Sequence, residues 1–204
     1  MSIAGRILVF SIAGWSGFYV MAVELLGGRV LAPSFGNSIY VWGGVITVFM
    51  LALSVGYLAG GHLSLRAPSL ARLGALLLAA AVATLPVVAW GTTLLDWIFD
   101  HVHDPRYGSL VASTALFFLP TAISGTVSPY AVRLLVTQVH ASGRSAGSLY
   151  FVSTFGSAAG TLLTSFWLVL LFEVDQILLG MAAVSAALGV LAIATGRGPL
   201  PDAA

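Results

Sequence analysis

The sequence predicts an all-α membrane protein with six transmembrane helices, and three observations carry that prediction. First, six apolar stretches fill most of the chain, at residues 7–31, 39–63, 70–95, 109–137, 149–171 and 177–194. About 20 apolar residues suffice to cross the roughly 30 Å hydrocarbon core as a helix. Second, only 7% of the residues are charged, so nothing of soluble-domain size is left between the stretches. Third, the few charges divide by side. Arg6, Arg66, Arg72, Arg144 and Arg197 fall at the N-terminus, the second–third connection, the fourth–fifth connection and the tail. The other connections hold Asp96, Asp100, Asp104, Glu173 and Asp175, with only Arg29 and Arg106 among them. Arginine-rich loops stay cytoplasmic, so both termini are expected in the cytoplasm and the protein in a cell (inner) membrane. An even number of spans requires the termini to share a side.

The first stretch follows Arg6 and continues for about 25 residues, past the length of a signal-peptide core, so it reads as a retained helix. Pro33, Gly36 and Asn37 mark the turn after it, and Pro68 marks the turn after the second stretch. The third connection, 97–108, is the longest on the acidic side. Its Trp97, Phe99 and Tyr107, together with Tyr40, Trp42, Trp90 and Trp167, fall where an interfacial aromatic belt belongs. The fourth stretch contains Pro120, Gly125 and Pro129, and proline in a membrane helix frees carbonyls and bends the axis. The segment is a static kink or a flexible element beside a cavity. Arg133, past it, is placed to snorkel to the surface. Residues 1–196 therefore form a single six-helix transmembrane domain, and 197–204 a short cytoplasmic tail.

Lipid offers little drive to bring helices together, so small residues matter by letting backbones approach. The fifth stretch has such a face in Ser153, Gly156, Ser157, Gly160, Thr161 and Thr164; the second has Gly56 and Gly60. These faces either pack inside one bundle or mate with a second copy or another subunit. Gly56 and Gly60 recur as Gly156 and Gly160, 100 residues and three spans later, the spacing expected of two inverted three-helix repeats.

Glu24 is an ionisable residue about 27 Å along the first helix from Arg6, and such residues mark ion or substrate paths when they face a cavity. Helical spacing groups it with Ala13, Gly17 and Gly28, and sets Trp15 and Tyr19 on the opposite face. The alternative is a structural ion pair or a carboxylate at the headgroups, although Arg29, five residues on, points away. His101 and His103 lie among carboxylates but cannot share a helix face, so a solvated acidic cap is expected and no metal site. The absence of cysteine excludes disulfides and thiolate ligands. No nucleophile–base grouping or nucleotide loop is visible, so no catalytic residue and no cofactor are expected.

Three strings carry a family likeness: residues 24–42 (ELLGGRVLAPSFGNSIYVW), residues 53–61 (LSVGYLAGG), and the run from Gly125 through Pro129 and Arg133 to residues 143–150 (GRSAGSLY) and 153–160 (STFGSAAG). Together they resemble the membrane-embedded N-terminal part of fused major facilitator/spermidine synthase proteins, over most of residues 20–165. The string at Gly56 is also similar to the signature between the second and third helices of major facilitator transporters, but no acidic residue follows near Gly60, so that family's gating ion pair is not carried over. The resemblance implies half of a transporter-like bundle. It does not bring synthase activity, because the carboxylates and cofactor loop of the aminopropyltransferase domain do not occur in this sequence. In the facilitator fold the second and fifth helices meet the other half, which implies a parallel pair of chains with a cavity at the shared axis.

The function expected is binding or transport of a small solute, as a homodimer, with Glu24 as a charge or proton site. The family context and the acidic outer surface point to a cationic, polyamine-like solute. The alternative is a non-catalytic membrane anchor for a partner such as a separately encoded aminopropyltransferase.

Overall fold

A computed structural model describes residues 2–65, 68–136 and 142–196, which contain helices and no strand. The helices are α1 (Ile3–Phe35), α2 (Ile39–Leu63), α3 (Leu70–His101), α4 (Pro105–Gly125), α5 (Val127–Leu135), α6 (Ser142–Leu163), α7 (Val169–Leu171) and α8 (Val174–Thr195). A π-helical turn, Thr164–Leu168, joins α6 to α7. They make six spans long and apolar enough to cross a bilayer: α4 and α5 form the fourth, Pro105–Leu135, and α6 to α7 the fifth. The expected tail at 197–204, Arg66, and Thr137 at the end of the fourth predicted stretch lie outside the described residues.

Side-chain caps set several of the starts. The Ser2 hydroxyl accepts from the Gly5 N–H at 3.1 Å, and Ser69 accepts from Arg72 at 3.2 Å. Asp104 accepts from the Arg106 N–H at 2.9 Å, and Pro105 occupies the first helical position, where its missing N–H costs nothing. Glu173 and Gln176 form a reciprocal capping box at α8. At the other end of α1, Gly36 takes a φ of 79°, a conformation glycine adopts freely, and donates to the Ala32 carbonyl at 2.9 Å.

The helices overrun the apolar stretches. α1 continues past Leu31 and carries Pro33 in its final turns. α3 continues past Leu95 to His101, so Asp96 and Asp100 stand on a helix and the third connection is only 102–104. The composition marks where lipid ends, whereas a helix ends where its capping and backbone geometry change.

Three lateral pairings build the bundle: α1 with α6, α2 with α4, and α3 with α8. α1 touches every other span and is the axis of the packing. Its side chains join two buried clusters, one around Tyr19, Leu26, Phe49 and Phe117, the other around Val9, Ile12, Leu73 and Tyr130. Glycine permits the closest approaches. A side chain at Gly56 or Gly60 would strike the backbone of Ala122 or Thr126 in span four, and one at Gly156 or Gly160 would strike that of Gly14 or Phe18 in α1. Gly74 and Gly189 make the same kind of contact between α3 and α8. The outward faces carry large exposed apolar side chains such as Leu58, Phe151 and Leu170, as expected where lipid tails replace water.

Candidate functional site: a hydroxyl-lined cleft at a helix break

Span four is two helices rather than one. Pro129 withholds the N–H that a continuous helix would aim at the Gly125 carbonyl. The chain tightens there: the Thr126 N–H reaches the Ile123 carbonyl at 3.1 Å, and the Thr126 hydroxyl reaches the same oxygen at 2.6 Å. The backbone turns at Thr126 and resumes as α5. Of the expected Pro/Gly element, Gly125 and Pro129 sit at this break, while Pro120 lies buried inside α4.

Beside the break is a cleft of about 170 Å³. Span four contributes Ser124, Gly125 and Ser128; α1 contributes Ser16, Gly17, Val20 and Met21; α2 contributes Leu53 and Tyr57; α6 contributes Ser153 and Ser157. At about 30 Å³ per water in the liquid, that volume suits a handful of waters or one compact solute. Several hydroxyls are engaged. Ser16 donates to the Ser124 carbonyl at 3.2 Å, Ser124 to the Pro120 carbonyl at 2.9 Å, and Ser157 to the Ser153 carbonyl at 3.1 Å. Among the described residues, the hydroxyls of Ser128 and Ser153 make no hydrogen bond and stay available in the cleft. A lining of hydroxyls around an interrupted helix can replace part of a solute's hydration shell, as discontinuous membrane helices do elsewhere.

Glu24 stands one helical turn beyond Val20 and Met21 on α1. It is half-buried, and among the described residues it has no hydrogen bond or ion pair. Arg29 is exposed. Glu24 therefore lies beyond the cleft along the same helix, and is not part of its lining.

The small-residue faces serve two purposes. Gly56, Gly60, Gly156 and Gly160 are used within one chain, against span four and α1. Ser153 and Ser157 line the cleft. Thr164 is fully buried at the first position of the π turn, and among the described residues its hydroxyl has no partner. Thr121 in α4 is likewise buried without a partner.

The opposite face of α1 is tied down by its own polar pairs. The Tyr19 hydroxyl lies 2.5 Å from Thr84 Oγ1, which itself donates to the Ala80 carbonyl at 2.8 Å. Tyr19 is therefore the donor. The Trp15 indole donates to Ser185 in α8 at 2.8 Å. At the far end of the bundle, the His101 ring stacks on Trp97 with centroids 4.5 Å apart, and the Arg106 guanidinium lies 4.5 Å over the Tyr40 ring. Among the described residues no three His, Asp or Glu side chains gather where they could hold a metal ion.

Sequence reasoning did not single out Ser16, Ser124, Ser128 or Tyr57. The signal was present: Ser124 and Ser128 flank Gly125 and precede Pro129, which is where a helix break would expose hydroxyls.

Compared with known protein families, curated proteins and solved structures, the chain matches none.

Proposed function

We propose that this six-span membrane protein binds or moves a small solute at the Ser-lined cleft, as half of a transporter-like assembly completed by a second copy. The observation that carries the reading is the coincidence of the cleft with the break at Gly125 and Thr126. A polar pocket beside interrupted backbone, inside a span, is where transporters of the inverted-repeat kind hold their solutes. Glu24, unpaired one turn away, supplies a negative charge on the approach and favours a cationic solute, which agrees with the polyamine suggested by the resemblance to the fused major facilitator/spermidine synthase proteins. Tyr57 is exposed and Ser153 half-exposed where the cleft opens, which favours a second copy or a water-filled cavity covering that side.

The architecture of two inverted three-helix repeats belongs to the same proposal, and a contact pattern supports it. Adding 100 to positions in α2 gives α6, and adding 108 to positions in α1 gives span four. Under that rule the approach of Gly156 to Gly14 becomes Gly56 to Ala122, Gly160 to Phe18 becomes Gly60 to Thr126, and Gly17 to Ser153 becomes Gly125 to Leu53; all six approaches occur. Ser16 becomes Ser124, its own hydrogen-bond partner, as for a pair astride a two-fold axis.

The test is purification under mild conditions with mass measurement of the intact assembly, then uptake of polyamines and other small cations into liposomes. A homodimer whose uptake disappears in Glu24→Gln, with the melting temperature unchanged, is expected. A stoichiometric complex with a different protein and no uptake would overturn the proposal in favour of a membrane anchor.

A further inference from the structure

The outer surface of the bundle carries a furrow on the other flank of α6 from the cleft. α6 and α8 stand apart there and leave α1 uncovered between them. The floor of the furrow is α1 from Ile7 to Phe18; Val152 of α6 and Leu188 of α8 form walls. The volume is about 570 Å³. Trp15, stacked on Phe18 with centroids 5.3 Å apart and rings 11° from parallel, divides it from a second hollow of about 370 Å³ that continues along α8 to Gln176.

Its dimensions match one leaflet. From Ile7 to Phe18 is about 16 Å along a helix, and half of a hydrocarbon core is about 15 Å. The furrow thus starts at the membrane surface on the N-terminal side and stops at an aromatic plate near mid-membrane.

The furrow opens at the arginine-bearing end of the bundle, although neither Arg6 nor Arg144 lines it. Arg6 directly precedes Ile7, and Arg144 lies about 12 Å before Val152 on α6, two turns nearer the surface. Both are exposed, and neither has an ion-pair partner among the described residues. The described acidic residues other than Glu24 all lie at the opposite ends of the spans. The second hollow ends instead beside Glu173 and Asp175, which would repel an anion.

We propose that the furrow is a binding site for an anionic phospholipid of the leaflet that holds the N-terminus. One acyl chain lies along α1 between α6 and α8 with its end against Trp15 and Phe18. The phosphate meets Arg6 and Arg144 at the surface. The site is independent of the solute cleft and stands whether or not the chain transports anything.

The test places the protein in nanodiscs of phosphatidylcholine, with Trp42, Trp90, Trp97 and Trp167 replaced by Phe so that Trp15 alone fluoresces. Phosphatidylglycerol or phosphatidylcholine with acyl chains brominated near their ends is added at a few mole per cent. Quenching by the anionic lipid is expected to exceed that by phosphatidylcholine at least threefold. The difference should vanish in the Arg6→Gln/Arg144→Gln double variant and persist in Arg6→Lys/Arg144→Lys. Ser11→Phe, which fills the furrow, should reduce quenching by both lipids. A melting temperature for each variant separates lost binding from lost folding. Equal quenching by the two lipids in the parent would overturn the proposal, since ordinary boundary lipid does that. A Trp15 shielded from both would also overturn it, because the furrow would then be covered by protein.

Discussion

Ser16 and Ser124 meet where α1 crosses span four: the Ser16 hydroxyl donates to the Ser124 carbonyl over 3.2 Å, with both side chains buried. The bond joins the central helix to the residue just before the break, so it holds one wall of the cleft in register. Hydrogen bonds between membrane helices contribute about 0.6 kcal/mol on average and up to about 1.7. Ser16→Ala should lower unfolding stability in detergent by an amount in that range. A larger loss would mean that the hydroxyl does more than fix register.

Gly156 lies against the Gly14 backbone so closely that no side chain fits between them. Gly156→Leu should force α1 and α6 apart and cost about 1–3 kcal/mol, as overpacking does in other cores. Gly147→Leu, on the same helix and with no atom of the described residues within 4 Å of the added Cβ, is the control and should leave the melting temperature nearly unchanged.

Tyr19 donates to Thr84, which donates onward to Ala80. Tyr19→Phe and Thr84→Val should each destabilise by about 1 kcal/mol, and the double variant by less than their sum, since the two act through one bond. Additive losses in a double-mutant cycle would show that the pair is not coupled.

Pro129 keeps the break open. Pro129→Ala restores the N–H facing the Gly125 carbonyl and should stabilise the protein by about 1 kcal/mol, less than the roughly 3 kcal/mol cost of proline in a water-soluble helix. Under the solute proposal, the same change should reduce uptake about tenfold. Stabilisation with unchanged uptake would make the break a static kink.

The side assignment can be read by chemistry, because the chain has no cysteine to interfere. Asp100→Cys should react with a membrane-impermeant maleimide on intact cells, and Arg144→Cys only after the membrane is opened. The reverse pattern would place both termini outside.

Some of this was legible in the residues and some could not be. The spans were, because a run of apolar residues in lipid must satisfy its own backbone and does so as a helix. The ends were not. Asp96 and Asp100 look like a loop by composition, but water at the membrane surface tolerates a charged helix, and α3 stops only at His101. The prolines of span four marked a disturbance, yet its position at Thr126 depends on which carbonyl each donor reaches. No glycine or proline announces the π turn at Thr164–Leu168. Trp15 and Tyr19 were placed opposite Glu24 by helical spacing, but their partners Ser185 and Thr84 lie far off in sequence, and only the packing joins them. The glycines of α2 and α6 announced close contact without saying with what. Their partners turned out to be span four and α1 of the same chain.

The pairing of α1 with α6 and of α2 with α4 also has a consequence for biogenesis. The chain is synthesised from its N-terminus, yet its central helix waits four spans for the neighbour that covers Gly14 and Gly17. A nascent chain of three spans has left the ribosome with that groove empty and with the Ser16 hydroxyl lacking its acceptor. Until the fifth arrives, that groove is left to lipid or to the insertion machinery.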